Sequence, residues 1–157
     1  MDKLAVIDEV IKALQHEIDI GTKASKEAFD AATDEDAYSD GKYDTRSLEA
    51  SYLAGGQAQI VKELGDALQG FNLMKAQFFI TPPSSQIGLG SLVELQGVKT
   101  KTWYIVGPGG GGMDVEVNGT SFTVLTLHSP LGQSLASKSK GDEVELPNGT
   151  GSILQVL

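Results

Sequence analysis

The chain has no cysteine among its 157 residues. Disulfide frameworks, thiolate metal centres and cysteine nucleophiles are therefore excluded. Basic residues are scarce, 12 against 21 acids, for a net charge of −9. Duplex binding relies on lysine and arginine displacing counterions, so a nucleic-acid-binding surface over the whole molecule is excluded and no duplex-DNA specificity is expected. Aromatics make up only 6% of the chain. No run approaches the roughly 20 apolar residues a membrane-spanning helix needs. The opening Met1-Asp2-Lys3-Leu4-Ala5-Val6-Ile7-Asp8-Glu9 begins an amphipathic helix and lacks the apolar block of a secretion signal, so the expected address is the cytoplasm. What remains is ordinary: 40% hydrophobic and 21% charged residues describe a soluble globular chain, not a disordered one.

Two different grammars divide the sequence. Residues 1–78 read as helix. Leu4, Ile7, Ile11, Leu14 and Ile18 step by three and four, and Ala24, Ala28 and Ala31 extend the stripe with small residues. Periodicity stops at residues 33–42. It resumes with Leu53, Gln57, Ile60, Leu64, Ala67, Phe71 and Met74, a heptad pattern with one polar member. Gly55 and Gly56 weaken this second helix by about 1 kcal/mol each relative to alanine, which points to a bend or a close contact. Two amphipathic helices joined by a short connection pair antiparallel, and about 30 residues per helix give an arm about 45 Å long.

The prolines of Thr81-Pro82-Pro83-Ser84-Ser85 end the helical half, so the second domain is set at 79–157. Strands are expected at 91–95, 100–106, 114–117, 121–127, 143–146 and 152–157. Asn118-Gly119 and Asn148-Gly149 should make hairpin turns because both residue types tolerate positive φ. A short helix is expected at 130–137, with Ser129 as N-cap and Pro130 at its first position. The fold class is α+β: an N-terminal helical hairpin followed by an antiparallel β domain with one short helix.

Three constellations could carry chemistry. Between Glu27 and Asp44 stand seven acids and one lysine, −6 of the net −9 within 18 residues. Carboxylates gathered at a helix reversal can hold a hard cation such as Mg²⁺ or complete a partner's site. A solvated helix end is the simpler explanation on charge alone. Gly107-Pro108-Gly109-Gly110-Gly111-Gly112 matches G-x-G-x-x-G formally. A strand follows it instead of a helix, so it reads as a flexible strand connection and not a phosphate cradle. His16 and His128 are too far apart in sequence, and without cysteine, to form a zinc signature.

Two stretches resemble the bacterial Gre transcript-cleavage factors. Asp36-Ala37-Tyr38-Ser39-Asp40-Gly41-Lys42-Tyr43 followed by Leu48-Glu49-Ala50 is similar to that family's tip pattern, Asp-x-x-Glu-Asn-x-x-Tyr. Trp103-Tyr104-Ile105-Val106-Gly107, Ser129-Pro130-Leu131-Gly132-Gln133-Ser134-Leu135 and Lys140-Gly141-Asp142-Glu143-Val144 resemble elements of its C-terminal domain, in the same order. The resemblance implies a coiled-coil arm over 1–78 with an acidic tip near 34–44. It also implies an FKBP-like domain over 79–157 that docks on RNA polymerase through Ser129 and Pro130.

The arm would enter the polymerase secondary channel. There Asp36 and Asp40 would help hold a shared Mg²⁺ beside the 3′ end of the nascent RNA, supported by Asp34, Glu35, Ser39, Tyr43 and Asp44. The free protein would bind no metal. It would be an accessory factor and not itself an enzyme, stimulating cleavage of backtracked RNA. Two departures stand out: alignment on Tyr43 puts Ser39 at the second acid, and Gly109–Gly112 are glycines this family's domain does not carry. A non-cleaving channel regulator is the first alternative. An FKBP-like prolyl isomerase or chaperone is the second, for which the aromatics Trp103, Tyr104 and Phe122 would have to line a pocket.

Overall fold

The computed structural model describes residues 2–33, 45–78 and 84–157. Two long helices, α1 (Lys3–Thr33) and α2 (Thr45–Gln77), precede six strands and a short helix. The strands are β1 (Leu92–Gln96), β2 (Lys101–Gly107), β3 (Asp114–Val117), β4 (Thr120–Thr126), β5 (Glu143–Leu146) and β6 (Gly149–Val156), with α3 (Pro130–Leu135) between β4 and β5. The α+β class is borne out. Among the described residues no helix is long and apolar enough to cross a membrane.

Asp2 starts α1 by accepting the backbone N–H groups of Leu4 and Ala5, at 3.1 and 3.2 Å. These are two of the four donors a helix start leaves without partners. α1 and α2 pair antiparallel. Lys75 Nζ lies 2.6 Å from Asp8 Oδ1 near the base, and Ser25 Oγ donates to the Ala54 carbonyl farther out. The ion pair is 42–47% exposed, so it is worth at most about 1 kcal/mol and serves mainly to fix register.

The seam of α2 is not the one its spacing predicts. Gln57, Leu64 and Phe71 face inward as expected, but Leu53 and Ile60 are 57% and 49% exposed, and Ala54, Val61 and Leu68 take their places. The cause lies on α1. Gly21 is buried opposite Val61, where a Cβ at position 21 would lie 2.8 Å from Val61 Cγ2. Ala28 is also buried, and small residues on both sides draw the helices together. The close approach rotates α2 away from the face that would have buried its larger side chains. Gly55 and Gly56 make no close contact, since a Cβ on either would meet nothing within 4 Å.

The sheet order is β3-β4-β2-β1-β6-β5. Four of the pairings are antiparallel, but β2 and β4 run parallel, which corrects the expectation of a wholly antiparallel sheet. The segment after β2 skips one strand position before β3, and the β3–β4 hairpin then folds back into the gap. Asn118 and Gly119, at φ 52° and 76°, occupy the two central positions of that hairpin turn, as their chemistry predicts. The second turn differs. Leu146 pairs with Gly149, so Pro147 and Asn148 are central and Gly149 opens β6 at φ 134°. Proline's fixed φ suits the first central position of a turn, and that preference displaces the Asn-Gly register by one residue.

Two cores flank the sheet. On one face Ile87, Val93, Leu95, Val106, Leu125, Leu135, Val144 and Ile153 pack together beneath α3. On the other, Val6, Ile7, Val10 and Leu14 of α1 and Ala67 and Phe71 of α2 pack on Leu92, Ile105, Val115, Phe122 and Val124. The base of the arm therefore shares its core with the sheet. Phe71 is fully buried at the centre of this contact, and a Cβ on Gly107 would overlap its ring.

Phe71→Ala should cost about 3–5 kcal/mol of unfolding free energy, and Leu53→Ala less than about 0.5 kcal/mol, measured by urea denaturation. Equal losses at the two positions would mean that Leu53 is in the seam after all.

Candidate functional site

Beyond the shared core the arm stands free. From Leu14 to Thr33 on α1, and from Ala67 back to Thr45 on α2, the helices extend roughly 30 Å at 1.5 Å per residue. That is the usable reach, shorter than the helices themselves because their base is committed to the sheet. α1 finishes with Thr33 Oγ donating to the Phe29 carbonyl at 3.0 Å. Glu27 and Asp30, which open the acidic run, are exposed on the last turns of α1.

Asp34, Glu35, Asp36, Ser39, Asp40, Tyr43 and Asp44 lie outside the described residues, and so does any arrangement of carboxylates around a cation there. Among the described residues no three histidine or acidic side chains cluster closely enough to hold a metal ion. The structure brings together the two ends that bracket this run, because the antiparallel pairing sets Thr33 and Thr45 at the same end of the arm.

The flanks of the free arm carry apolar groups that sequence periodicity assigned to its interior or did not single out. At about 100° per residue, Leu53 and Ile60 fall to one side of the seam. On the other side is an open groove of about 900 Å³. Thr22, Ser25, Lys26 and Phe29 of α1 line it against Ala54, Gly55, Ala58 and Val61 of α2, and Phe29 is 60% exposed at its edge. Small side chains on α2 leave this groove open. A heptad count leaves them off the seam and gives no sign of a groove.

Ser129 and Pro130, the second predicted site, sit at the turn from β4 into α3. Ser129 Oγ donates to the Thr126 carbonyl at 2.7 Å and accepts the Gly132 N–H at 3.1 Å. Its backbone, at φ −69° and ψ 154°, is extended as a capping residue requires, and Pro130 occupies the first helical turn. Gly132 is needed because a Cβ there would collide with the Thr126 carbonyl oxygen. The Gln133 amide closes the corner by donating to the His128 carbonyl at 3.0 Å. The serine's hydroxyl proton and one of its acceptor lone pairs are thus spent inside the fold. Pro130, Gln133 and His128 form the exposed part of the corner. α3 ends at Leu135, two residues short of the expected end, where the chain turns out at Ala136 and Ser137 takes φ 63°.

The three aromatics that a prolyl-isomerase pocket would require do not converge. Trp103 and Phe122 pack on the arm side of the sheet with ring centroids 6.0 Å apart, while Tyr104 packs into the core beneath α3. The glycine run at 107–112 is not a phosphate cradle either. It leads into β3, and Gly109 lies against α2, where a Cβ would be 2.8 Å from the Ala67 Cβ. At the foot of the arm, Lys3 Nζ lies 5.9 Å from the Phe78 ring centroid, and burial holds its pKa below the ordinary lysine value.

The arm and sheet define a two-part molecule with a projecting helical pair. No family model matches the chain, and no curated protein matches it. The chain is similar to the GreA factor homolog 1 protein of Thermus thermophilus at 19% identity, covering 96% of this chain and 94% of that one, with a TM-score of 0.36. A second structure of the transcription factor Gfh1 gives 18% identity, 96% and 92% coverage and a TM-score of 0.35. The protein from Thermus aquaticus gives 19% identity, 97% and 94% coverage and a TM-score of 0.33.

Ser129→Ala should cost about 1 kcal/mol, lowering the melting temperature by about 2–4 °C on circular dichroism. An unchanged melting temperature would show that the cap does not hold α3 in place.

Proposed function

We propose that the chain is an RNA polymerase accessory protein of the Gre type, whose sheet domain docks on the polymerase while the arm enters the secondary channel. One observation carries this reading. A free two-helix arm, roughly 30 Å long, has at its far end the segment with five acids (Asp34, Glu35, Asp36, Asp40, Asp44) and one lysine. The order of the remaining motifs supports it: the Trp103–Gly107 strand, the Ser129-Pro130 corner and the Lys140–Val144 segment follow in the sequence in which the resemblance places them.

In this reading the arm provides reach and the tip provides charge. Asp36 and Asp40 are the residues that would share a Mg²⁺ with the polymerase, and their carboxylate oxygens are the hard donors that ion prefers. An ion held so would supply Lewis-acid stabilisation of the oxygens at the scissile phosphate during cleavage of backtracked RNA. Asp34, Glu35 and Asp44 would raise the local negative potential, and Ser39 and Tyr43 would support Asp36 and Asp40 in that role. Pro130, exposed beside the spent hydroxyl of Ser129, is the part of the Ser-Pro corner available to a docking partner. The protein contributes no active site of its own and acts in the cytoplasm, where the polymerase is.

The non-cleaving regulator is favoured by one departure, Ser39 at the position where the tip pattern has its second acid. Such a protein would occupy the channel without completing a metal site.

Purified polymerase stalled in a backtracked complex separates these readings. Wild-type protein should shorten the transcript in Mg²⁺, and Asp36→Asn/Asp40→Asn should slow that cleavage by about tenfold or more while still binding. Binding without cleavage by the wild type would establish the regulator, and absence of binding would overturn both.

A further inference from the structure

We infer that Asn118 is a site of spontaneous modification, where the Asn-Gly peptide cyclises and hydrolyses in the folded protein, while Asn148-Gly149 is protected. The two sites are chemically matched. Each reads Asn-Gly-Thr, each lies at a hairpin turn, and both asparagines and both glycines are exposed. Nothing in the immediate sequence after either asparagine tells them apart, so the fold makes the difference.

At the first site Val117 and Thr120 close the hairpin, which leaves the Gly119 nitrogen between them in the turn. Among the described residues neither that N–H nor the Asn118 carboxamide has a hydrogen-bond partner. A Cβ on Gly119 would meet nothing within 4 Å. Asn118 and Gly119 are at φ 52° and 76°, the type I′ arrangement. Turning over the peptide between them gives type II′, with the Asn118 ψ at about −120°, and leaves the Val117–Thr120 closure intact. That rotation carries the Gly119 nitrogen round toward the Asn118 carboxamide carbon. The second site lacks this freedom. Leu146 and Gly149 are the closing pair, and Pro147 has no N–H, so the Gly149 N–H is committed to the Leu146 carbonyl. Val98 also sits against Gly149, where a Cβ would be 2.9 Å from Val98 Cγ2. The same rotation there would open the hairpin.

The chemistry needs only water. The Gly119 nitrogen gives up its proton and bonds to Asn118 Cγ. The Cγ–Nδ2 bond breaks, and Nδ2 leaves with that proton as ammonia. Water then opens the cyclic imide at either carbonyl. One opening leaves aspartate at 118, and the other leaves isoaspartate, whose main chain runs through Cγ. Nothing is oxidised or reduced. Both products place a new negative charge on the β3–β4 turn, and isoaspartate also lengthens its backbone. β3 is an edge strand whose Val115 is buried in the core shared with the arm, so the lengthened turn loosens a strand that contributes to that core.

The test is to incubate the whole protein in warm, mildly alkaline buffer, folded and in urea, and then to map both peptides by proteolysis and mass spectrometry. The rates in urea fix the intrinsic reactivity of each asparagine. Relative to them, Asn118 should convert about tenfold or more faster than Asn148 in the folded chain, the factor that one ordinary hydrogen bond imposes. Its product should contain isoaspartate as well as aspartate. Comparable relative rates, faster conversion of Asn148, or an Asn118 still intact after the unfolded chain has reacted would overturn the inference. Aspartate without isoaspartate would overturn the cyclic route and with it the role of Gly119.

Discussion

The packing of the Phe71 ring against the backbone of Gly107 is the contact on which the architecture depends. It requires a large apolar group on α2 and the absence of a side chain at Gly107, the last residue of β2, and it puts the core of the helical pair and one core of the sheet in the same place. From it follow the arm's shortened reach and the close seating of Pro108 and Gly109 on α2. It also divides labour along the helices. Near the base, large residues such as Ile7, Leu14 and Phe71 are buried against the sheet. Farther out the pair has only itself, and small residues at Gly21, Ala28 and Ala54 let the backbones close together where no third layer is present to cover larger ones.

Features whose cause is local were legible in the sequence. The six strands lie within a few residues of where alternation and turn formers put them. Asn118-Gly119 makes its turn, and Ser129 with Pro130 begins α3, because the physics involves only neighbouring residues. Features decided by distant surfaces were not legible. The heptad count on α2 finds the right period but the wrong rotation, since nothing within α2 records that Gly21 lies across from Val61. The parallel β2–β4 pairing depends on which strand fills the gap beside β2. The glycine run reads as flexible until its neighbours on α1 and α2 are known.

The candidate site divides along the same line. The acidic run is legible as composition, and the helices place its two ends together at the far end of the arm. Ser129 and Pro130 are legible as a helix start, and the structure adds that the serine is consumed by that task while the proline is presented. The groove beside Phe29 and the exposure of Leu53 and Ile60 were hidden, because each arises from the rotation of one helix against another.

The strand order has a consequence for biosynthesis. β6 is made after the other five strands, yet among the described residues it lies between β1 and β5 and links β5 to the rest of the sheet. While a ribosome still holds residues 149–156, the β1 edge remains unpaired and β5 has no neighbour to join. β3 and β4, by contrast, are joined by a two-residue turn and need nothing downstream to find each other. A nascent chain therefore carries a bare sheet edge until residues 149–156 emerge and β6 pairs with β1.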